Sequence, residues 1–332
     1  MIAAAVLIFA AAALGAAAAQ AAAPTLAVPV ECAIGAACVV QNHVDHEPGP
    51  SARDYRCGFL TYDGHRGTDI RVISTEALRR GVPVLAAAAG RVRAVRDGVP
   101  DASVRARGAG AVAGREAGNS VVIEHDDGWE TQYAHLRQGS VAVRPGDAVA
   151  AGQRLGLVGL SGFTEFPHVH FEVRHRGRAV DPFVGPEGAE ACRPGARPLW
   201  DGAALEALAY SATGLLGAGI SAAAPRLDER PIDGAEIAPL TPTAGAALFW
   251  VAIYGARADD LQELRLIGPD GRVLAERRDR LSRHRAQWLT YVGRRRVDRD
   301  WPAGVYRGEY TLYRGPSREK VISLTREILL PP

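Results

Sequence analysis

Short apolar stretches, broken by Gly, Pro and Asp, follow one another from about Gly58 to Phe183. Many of them alternate apolar and polar residues. Residues two apart share one face of a strand, whereas the three- to four-residue spacing of an amphipathic helix is scarce here. The pattern therefore predicts a mainly β chain with an antiparallel β fold in this region.

One part of this region departs from the strand pattern. The insertion between Arg96 and Asn119 is rich in Gly, Ala and Arg, and we expect it to project as a long loop. Long loops in compact domains are often functional, so this one is a candidate groove wall that selects a substrate. A floppy surface excursion is the alternative.

The pattern changes after Pro198. Ala203 to Gly219 predicts a brief helical or linker segment, and residues 225–243 are rich in proline. Gly268-Pro-Asp-Gly271 has the composition of a hairpin turn between two strands. Further strands are expected at 247–254, 264–267, 272–275, 287–292, 304–313 and 320–329. Together they predict a small β-sandwich over residues 244–332, after a linker at 198–243.

Two features of the predicted sandwich invite a functional interpretation. Its aromatic residues are more often core than ligand platform, and we expect core positions for Trp250, Trp288, Tyr306 and Tyr310. Residues 272–299 are rich in arginine, which suits an anionic envelope polymer, although a solvated strand face is the commoner explanation. We assign this domain a targeting or scaffolding role.

The first residues resemble a secretory signal. Residues 2–19 are uncharged and apolar, and Ala19-Gln20-Ala21 offers a small-residue cleavage site. We expect residues 1–23 to be a cleaved signal peptide, with no stable membrane span afterwards. An uncleaved anchor is the alternative, but the alanine-rich stretch is a poor membrane segment. Because no Lys or Arg precedes the apolar run, the true start lies upstream or the free amine suffices.

All four cysteines follow this segment. An even number of cysteines in an exported chain favours disulfides over free thiols. Three pairings are possible. We prefer Cys32 with Cys38, which closes a short loop, and Cys57 with Cys192, which ties together the two ends of the strand-rich region. Zinc binding by these cysteines is disfavoured because they lack Cys-x-x-Cys spacing.

Charge and length limit the function classes. Lys and Arg number 39 against 37 for Asp and Glu, so the charge does not suggest a nucleic-acid partner. The 332 residues suffice for two domains. Residues 24–57 form a Pro- and His-containing lead-in segment before the strand-rich region. The oligomeric state stays open.

Three histidine motifs carry the candidate chemistry. His65 and Asp69 lie on either side of Gly67, which permits a sharp turn. His168 and His170 lie two apart in an apolar run that reads as a strand, so both imidazoles face one side. A lone His-x-His is more often structural. Its coincidence with the other motif and with Tyr-Ala-His135-Leu favours a catalytic zinc site, which needs three N or O ligands and a fourth position for water.

These motifs resemble, in order and approximate spacing, those of the lysostaphin-type (LytM-like) zinc metallopeptidases. The stretches at 81–87, 118–125, 143–149 and 156–162 are similar to the strands and tight turns of that fold. The resemblance covers about Gly58 to Phe183, and we place the corresponding domain at residues 58–197.

The resemblance implies a role for each matched residue. His65, Asp69 and His170 would bind one Zn²⁺ per chain, while His168 and His135 would face the water and the substrate without ligating. We favour His168 as base and His135 as stabiliser of the oxyanion, but the two roles could be shared or reversed.

The resemblance also implies a substrate class. The expected function is that of an exported zinc-dependent endopeptidase that hydrolyses peptide bonds in peptidoglycan, in the periplasm or secreted. Some relatives have lost their ligands and activate cell-wall amidases. A non-hydrolytic cell-wall binding protein or amidase activator is therefore the alternative.

In other relatives a lead-in segment supplies an extra metal ligand. Here that ligand would be His43, Asp45 or His46, but a packed surface arm is the simpler expectation. Taken by themselves, the histidines outside the three motifs are expected to be structural or solvated: His43, His46, His125, His175 and His284.

Overall fold

The computed structural model describes residues 23–188, 192–195, 197–227, 237–297 and 299–332. Among the described residues, strands account for 43% and helices for 7%, and the sheets are antiparallel, which confirms the expected mainly β class. The predicted signal peptide lies almost entirely outside the described residues. Within them, no helix has both the length and the apolar character needed to cross a membrane.

The elements have the following bounds. The strands are β1 (Cys38–Asn42), β2 (Thr68–Val72), β3 (Pro83–Leu85), β4 (Gly90–Arg96), β5 (Asn119–Glu124), β6 (Trp129–Leu136), β7 (Ala148–Val149), β8 (Arg154–Leu157), β9 (His168–His175), β10 (Arg178–Val180), β11 (Gly214–Ser221), β12 (Ala246–Ala256), β13 (Leu261–Ile267), β14 (Val273–Arg280), β15 (Arg285–Arg295), β16 (Gly304–Arg314) and β17 (Glu319–Leu330). The helices are α1 (Thr75–Arg80), α2 (Val104–Arg107) and α3 (Gly202–Ala207), with 3₁₀ turns at Ala109–Val112 and Asp126–Gly128.

The N-terminal unit is built on one large antiparallel sheet. Its strands lie in the order β1-β2-β9-β6-β5-β4-β7, with β10 paired to β9 and a small β3-β8 sheet beside it. Apolar residues of the central strands form the core, and Ile70, Val121, Tyr133 and Phe171 are all fully buried. The strands β2, β6 and β9, which carry the histidine motifs, are therefore neighbours in the middle of a rigid sheet.

The lead-in segment contributes to this sheet. Strand β1 is buried along its whole length and pairs with β2, so that Asn42 lies opposite Asp69. Disulfides join Cys32 to Cys38 and Cys57 to Cys192, which confirms both preferred pairings. The domain boundaries stay a prediction, but residues 24–57 are an edge of the same core rather than a surface arm.

Helix α1 has no counterpart among the sequence-based expectations. Ser74 caps it by accepting a hydrogen bond from the backbone of Ala77, and Glu76 pairs with Arg79 and Arg80. With six residues it is shorter than two turns. A helix of this length has too few positions to display a 3.6-residue period.

The insertion at 96–119 does not project freely. It contains α2, and Asp101 forms a bridge with Ser161 while the backbone of Val104 donates to the carbonyl oxygen of Thr164. Its two ends are therefore fixed, while residues 105–108 and 113–116 between them are exposed, and its role as a groove wall stays a prediction. The insertion packs along residues 160–164, because these backbone groups pair with its own.

The C-terminal unit is the expected β-sandwich. One sheet has the order β11-β12-β15 and the other β14-β13-β16-β17. The predicted hairpin joins β13 and β14. Tyr306 and Tyr310 are buried in the core and Trp288 packs at its margin, as expected, whereas Trp250 belongs to a separate cluster described below.

The segment from Ala203 to Gly219 is only partly helical. Helix α3 ends at Ala207, and β11 begins at Gly214 and pairs with β12 along its length. Its glycines lie against large side chains, since a Cβ on Gly219 would meet the Trp250 ring and one on Gly214 the Tyr254 ring. Glycine is weak evidence for a strand in a sequence, but here it makes room for the aromatic residues of the neighbouring strand.

Candidate metal centre

Strands β2 and β9 bring together the three predicted ligands. Asp69 and His170 lie directly opposite each other in the register, and His65 lies in the loop just before β2. The donor atoms of His65, Asp69 and His170 all lie within 4.8 Å of one another. Within the described part of the chain, this is the only group of three or more His, Cys, Asp or Glu residues placed to hold a metal ion.

The separations between the donor atoms suit a single small ion. Asp69 Oδ1 lies 2.9 Å from His170 Nδ1 and 3.2 Å from His65 Nε2, and the two nitrogens are 3.2 Å apart. Around a tetrahedral zinc ion with metal–ligand distances of about 2.0–2.1 Å, neighbouring donors lie roughly 3.3–3.4 Å apart. Small outward shifts of these atoms would therefore complete the geometry.

Hydrogen bonds behind the cluster orient two of its members. His65 Nδ1 donates to the carbonyl oxygen of His43 at 2.7 Å, which leaves Nε2 free of a proton in the neutral ring. The amide of Asn42 donates to Asp69 Oδ2 at 2.8 Å, which leaves Oδ1 facing the histidines. Such outer contacts fix ring tautomers and ligand orientation at metal sites.

The third member, His170, has a carboxylate behind it. Its Nε2 lies 3.9 Å from Glu172 Oε2, and Glu172 is itself buried beside Arg66 and Arg174. Burial alone would lower the pKa of His170, but the contacts with Asp69 and Glu172 outweigh it and raise that pKa to about 9. In the metal-free protein this ring therefore carries a proton that a metal ion has to displace.

His168 and His135 lie beside the cluster with matching ring orientations. Nδ1 of His168 donates to the carbonyl oxygen of Phe166 at 2.9 Å, and Nδ1 of His135 donates to that of Ser161 at 2.8 Å. The two rings are 4.6 Å apart between centroids, and His168 Nε2 lies 3.5 Å from Asp69 Oδ1. Because each Nδ1–H is committed, each neutral ring presents Nε2 as a proton acceptor.

A local backbone distortion places His135. Its φ is 61°, in the left-handed region that non-glycine residues seldom adopt. The backbone there is held by His135 N–H donating to Ala117 and by Gly159 N–H donating to His135. Strain of this kind persists only where the surroundings impose it, and it is commonest at functional sites.

Electrostatics keep both of these rings neutral. Burial lowers the pKa of His168, with Asp69 opposing, and burial together with the neighbouring His168 and His170 lowers the pKa of His135 well below its usual value. For Asp69, burial alone would raise the pKa, but the contacts with the histidines hold it well below the normal range. The site therefore combines a carboxylate with two neutral imidazoles able to accept a proton at neutral pH.

Gly67 has a different role from the one the sequence indicated. Its φ is not in the left-handed region, so no glycine-specific turn is involved. A Cβ at this position would lie 2.7 Å from Cε1 and Nε2 of His170 and 2.7 Å from the carbonyl oxygen of Phe171. Glycine is required here because the His170 ring lies directly against the backbone.

The lead-in side chains stay outside the cluster. His43 is buried against the rings of Tyr55, Phe183 and Tyr210, and burial lowers its pKa to about 4. His46 pairs with Asp181 at 2.7 Å, while Asp45 accepts hydrogen bonds from backbone N–H groups. The possible extra ligand from this segment is therefore not seen. Its contribution is the His43 carbonyl group and the Asn42 amide.

Comparison with known protein families gives a match over the residues that form this site. Residues 63–182 match the model of peptidase family M23, a family of zinc metallopeptidases. The match spans all five predicted site residues. The chain thus contains a peptidase domain of family M23.

The relatives match this domain alone. The chain is 45% identical over 65 residues to the peptidoglycan DD-endopeptidase ShyB of Vibrio cholerae, which is 20% of this chain and 15% of ShyB. It is 37% identical over 111 residues to the DD-carboxypeptidase/endopeptidase Mpg of Neisseria meningitidis, which is 33% of this chain and 23% of Mpg. The chain thus spans less than a quarter of the length of these curated relatives.

Solved structures likewise match less than half of this chain. One is a mutant catalytic domain of the prophage-encoded M23 protein EnpA from Enterococcus faecalis, with 25% identity and a TM-score of 0.32. It covers 48% of this chain and 94% of that domain. A zinc-containing peptidase from Vibrio cholerae matches with 29% identity and a TM-score of 0.28, over 43% of this chain and 38% of that one.

Proposed function

We propose that this protein is an exported zinc-dependent endopeptidase that hydrolyses peptide bonds in peptidoglycan. The observation that carries the proposal is the triangle of His65 Nε2, Asp69 Oδ1 and His170 Nδ1, with two neutral imidazoles beside it. Two nitrogens and one oxygen form the donor set of catalytic rather than structural zinc sites, which leave a fourth position open.

His65, Asp69 and His170 would hold one zinc ion per chain. When bound, zinc supplies Lewis-acid chemistry that makes water nucleophilic at neutral pH and polarises the scissile carbonyl group. Asn42 and Glu172 would keep the donor atoms aimed at one point. The chain's own contribution to hydrolysis then falls to the two remaining histidines.

His168 is placed to take a proton from the attacking water at Nε2. Its Nδ1–H bond to Phe166 prevents the ring from turning, and burial keeps it neutral and ready to accept. His135 can stabilise an oxyanion only in a protonated form, because its own Nδ1–H is bound to Ser161. We therefore propose that the two rings share the transferred proton and that one of them returns it to the leaving amine.

The substrate class comes from the relatives. ShyB is named a peptidoglycan DD-endopeptidase, and Mpg a DD-carboxypeptidase/endopeptidase. Peptidoglycan lies in the cell envelope, so an exported protein with two disulfides suits this substrate. The proposed location is the periplasm or the outside of the cell.

Variants of strand β9 test the proposal. His170→Ala removes a donor atom, so zinc should be lost together with hydrolysis of purified muropeptides. His168→Ala should keep zinc and lose roughly 10²–10⁴-fold in rate, the range for removal of a positioned general base. His175→Ala is the matched control, because this ring lies on the same strand but stacks on Trp129 away from the site. Normal hydrolysis by both site variants would refute the proposal.

The same experiment separates the alternative. A non-hydrolytic activator of amidases would leave purified sacculi intact and increase their digestion by an added amidase. Zinc content together with release of peptide fragments by the protein alone distinguishes the two functions.

A further inference from the structure

The C-terminal sandwich is packed against the sheet that carries the site. Trp250, Leu216 and Tyr254 of its first sheet form one buried cluster with Val39 and Leu60 of the N-terminal unit. All five side chains are almost completely buried. Burial of these apolar side chains between the two units fixes their relative position, unlike two domains joined only by a flexible linker.

Arg71 lies at this junction, on the same face of β2 as Asp69. Its side chain is fully buried, and Nη1 donates to Gln41 Oε1 at 2.8 Å and to Gln287 Oε1 at 2.9 Å. Gln41 lies in β1, which is part of the lead-in segment, whereas Gln287 lies in β15 of the sandwich. Burial of a guanidinium is costly, and Nε of Arg71 has no hydrogen-bond partner among the described residues, so the two amide oxygens on Nη1 help to offset that cost.

The guanidinium also contacts the residue that orients His168. Its carbon atom lies 4.2 Å from the centre of the Phe166 ring, an attractive cation–π arrangement. The carbonyl oxygen of Phe166 accepts the proton of His168 Nδ1, and Arg71 lies directly opposite His168 in the pairing of β2 with β9. A continuous path of contacts thus runs from Gln287 through Arg71 and Phe166 to His168.

We propose that Gln287 is a positioning residue, through which the C-terminal sandwich holds Arg71 beneath Phe166 and thereby fixes the ring of His168. The inference rests on the proposed function of His168. If Nη1 loses the Gln287 oxygen, only the Gln41 oxygen holds it, and the buried guanidinium is free to turn toward another acceptor. Glu165, the charged neighbour that favours its protonated form, directly precedes Phe166 in the chain. Turning would draw the guanidinium from under the Phe166 ring.

Substitutions at Gln287 in the full chain test this path. Gln287→Leu removes the acceptor at similar volume, and kcat on a soluble muropeptide should fall by about tenfold, because a positioned general base contributes about 10²–10⁴-fold and a less firmly held ring loses part of that. Zinc content and KM should stay close to wild type. Gln287→Glu keeps an oxygen acceptor and should restore most of kcat.

Gln262→Leu is the matched control. Gln262 is buried in the same sandwich and bonds Trp288 and Asp279, so this variant disturbs the C-terminal unit without touching Arg71. It should lower thermal stability and leave kcat unchanged. An equal fall of kcat in the Gln262 and Gln287 variants would overturn the proposal, because it would indicate general damage to the sandwich.

Hydrogen exchange gives a readout that does not need hydrolysis. The backbone amides of residues 164–166 and of His168 should exchange faster in Gln287→Leu than in wild type and in Gln262→Leu. Unchanged exchange there would overturn the proposal even if kcat fell. If the wild-type protein failed to cleave muropeptides, the proposed function would fall, whereas the exchange measurement would still decide whether Gln287 holds this segment.

Discussion

Replacing Gly67 by alanine is the smallest change that should disturb the metal centre. The added methyl group would lie 2.7 Å from two atoms of the His170 ring and 2.7 Å from the carbonyl oxygen of Phe171. Ordinary contacts between carbon atoms are about 3.5–4.0 Å, so the ring has to retreat by roughly 1 Å. The Phe171 carbonyl group cannot move easily, because it belongs to strand β9, which is paired on both sides with β2 and β6.

A retreat of this size exceeds what a zinc site tolerates, since ligand distances hold within about 0.2 Å. We expect Gly67→Ala to weaken zinc affinity by about 10–100-fold, the range seen when the supports of a metal ligand are lost. Isothermal titration with a competing chelator measures this change, and near-ultraviolet circular dichroism verifies that the variant is folded.

Gly49→Ala is the matched control for this experiment. Gly49 lies in the lead-in loop, and a Cβ there would meet nothing within 4 Å. Its zinc affinity should equal that of wild type. If folded Gly67→Ala also bound zinc with wild-type affinity, either His170 does not ligate or its ring does not lie against this backbone, and the account of the site would be wrong.

The two disulfides and the raised pKa of His170 each have a measurable consequence. Replacing Cys57 and Cys192 by serine should lower the melting temperature more than replacing Cys32 and Cys38. The bridges close loops of 135 and 6 residues, which correspond to at most about 5 and about 2 kcal/mol of stabilisation. A larger effect of the short bridge would contradict this. Zinc affinity should rise about tenfold per pH unit from pH 7 toward about 9, because the raised pKa of His170 leaves a proton that zinc must displace below that pH. A dissociation constant that stays flat over this range would show that His170 is already neutral.

Much of the fold followed from local patterns. Alternation of apolar residues predicted the strands of the sandwich, and the Gly268–Gly271 turn predicted the β13–β14 hairpin. The failures have physical causes. Helix α1 is too short for its period to be visible, and β11 is rich in glycine because the large rings of Trp250 and Tyr254 fill the space beside it. The insertion at 96–119 is fixed by backbone pairing with residues 160–164, which no local pattern encodes.

For the candidate site, too, some residues could be predicted from the sequence and others could not. The motifs predicted the residues that the structure gathers, His65, Asp69, His135, His168 and His170; their roles stay a prediction. Glu172 was missed although a signal existed, because it lies two residues after His170 on the same strand face.

Other supports left no such signal. Arg71 follows Asp69 by two residues, but its contact with Gln287 spans 216 positions and depends on how two units pack. The carbonyl oxygen of His43 orients His65 through the backbone, so the side chain at that position carries no information about it.

Zinc-dependent peptide hydrolysis is tested most directly by mass spectrometry of a purified cross-linked muropeptide incubated with the full chain. The protein is used untreated, after chelation and after zinc is restored. We expect two products whose masses sum to that of the substrate plus one water, formed only with zinc and not by His170→Ala. Products that persist in the chelated protein or in that variant, or an intact substrate with the zinc-loaded protein, would contradict it.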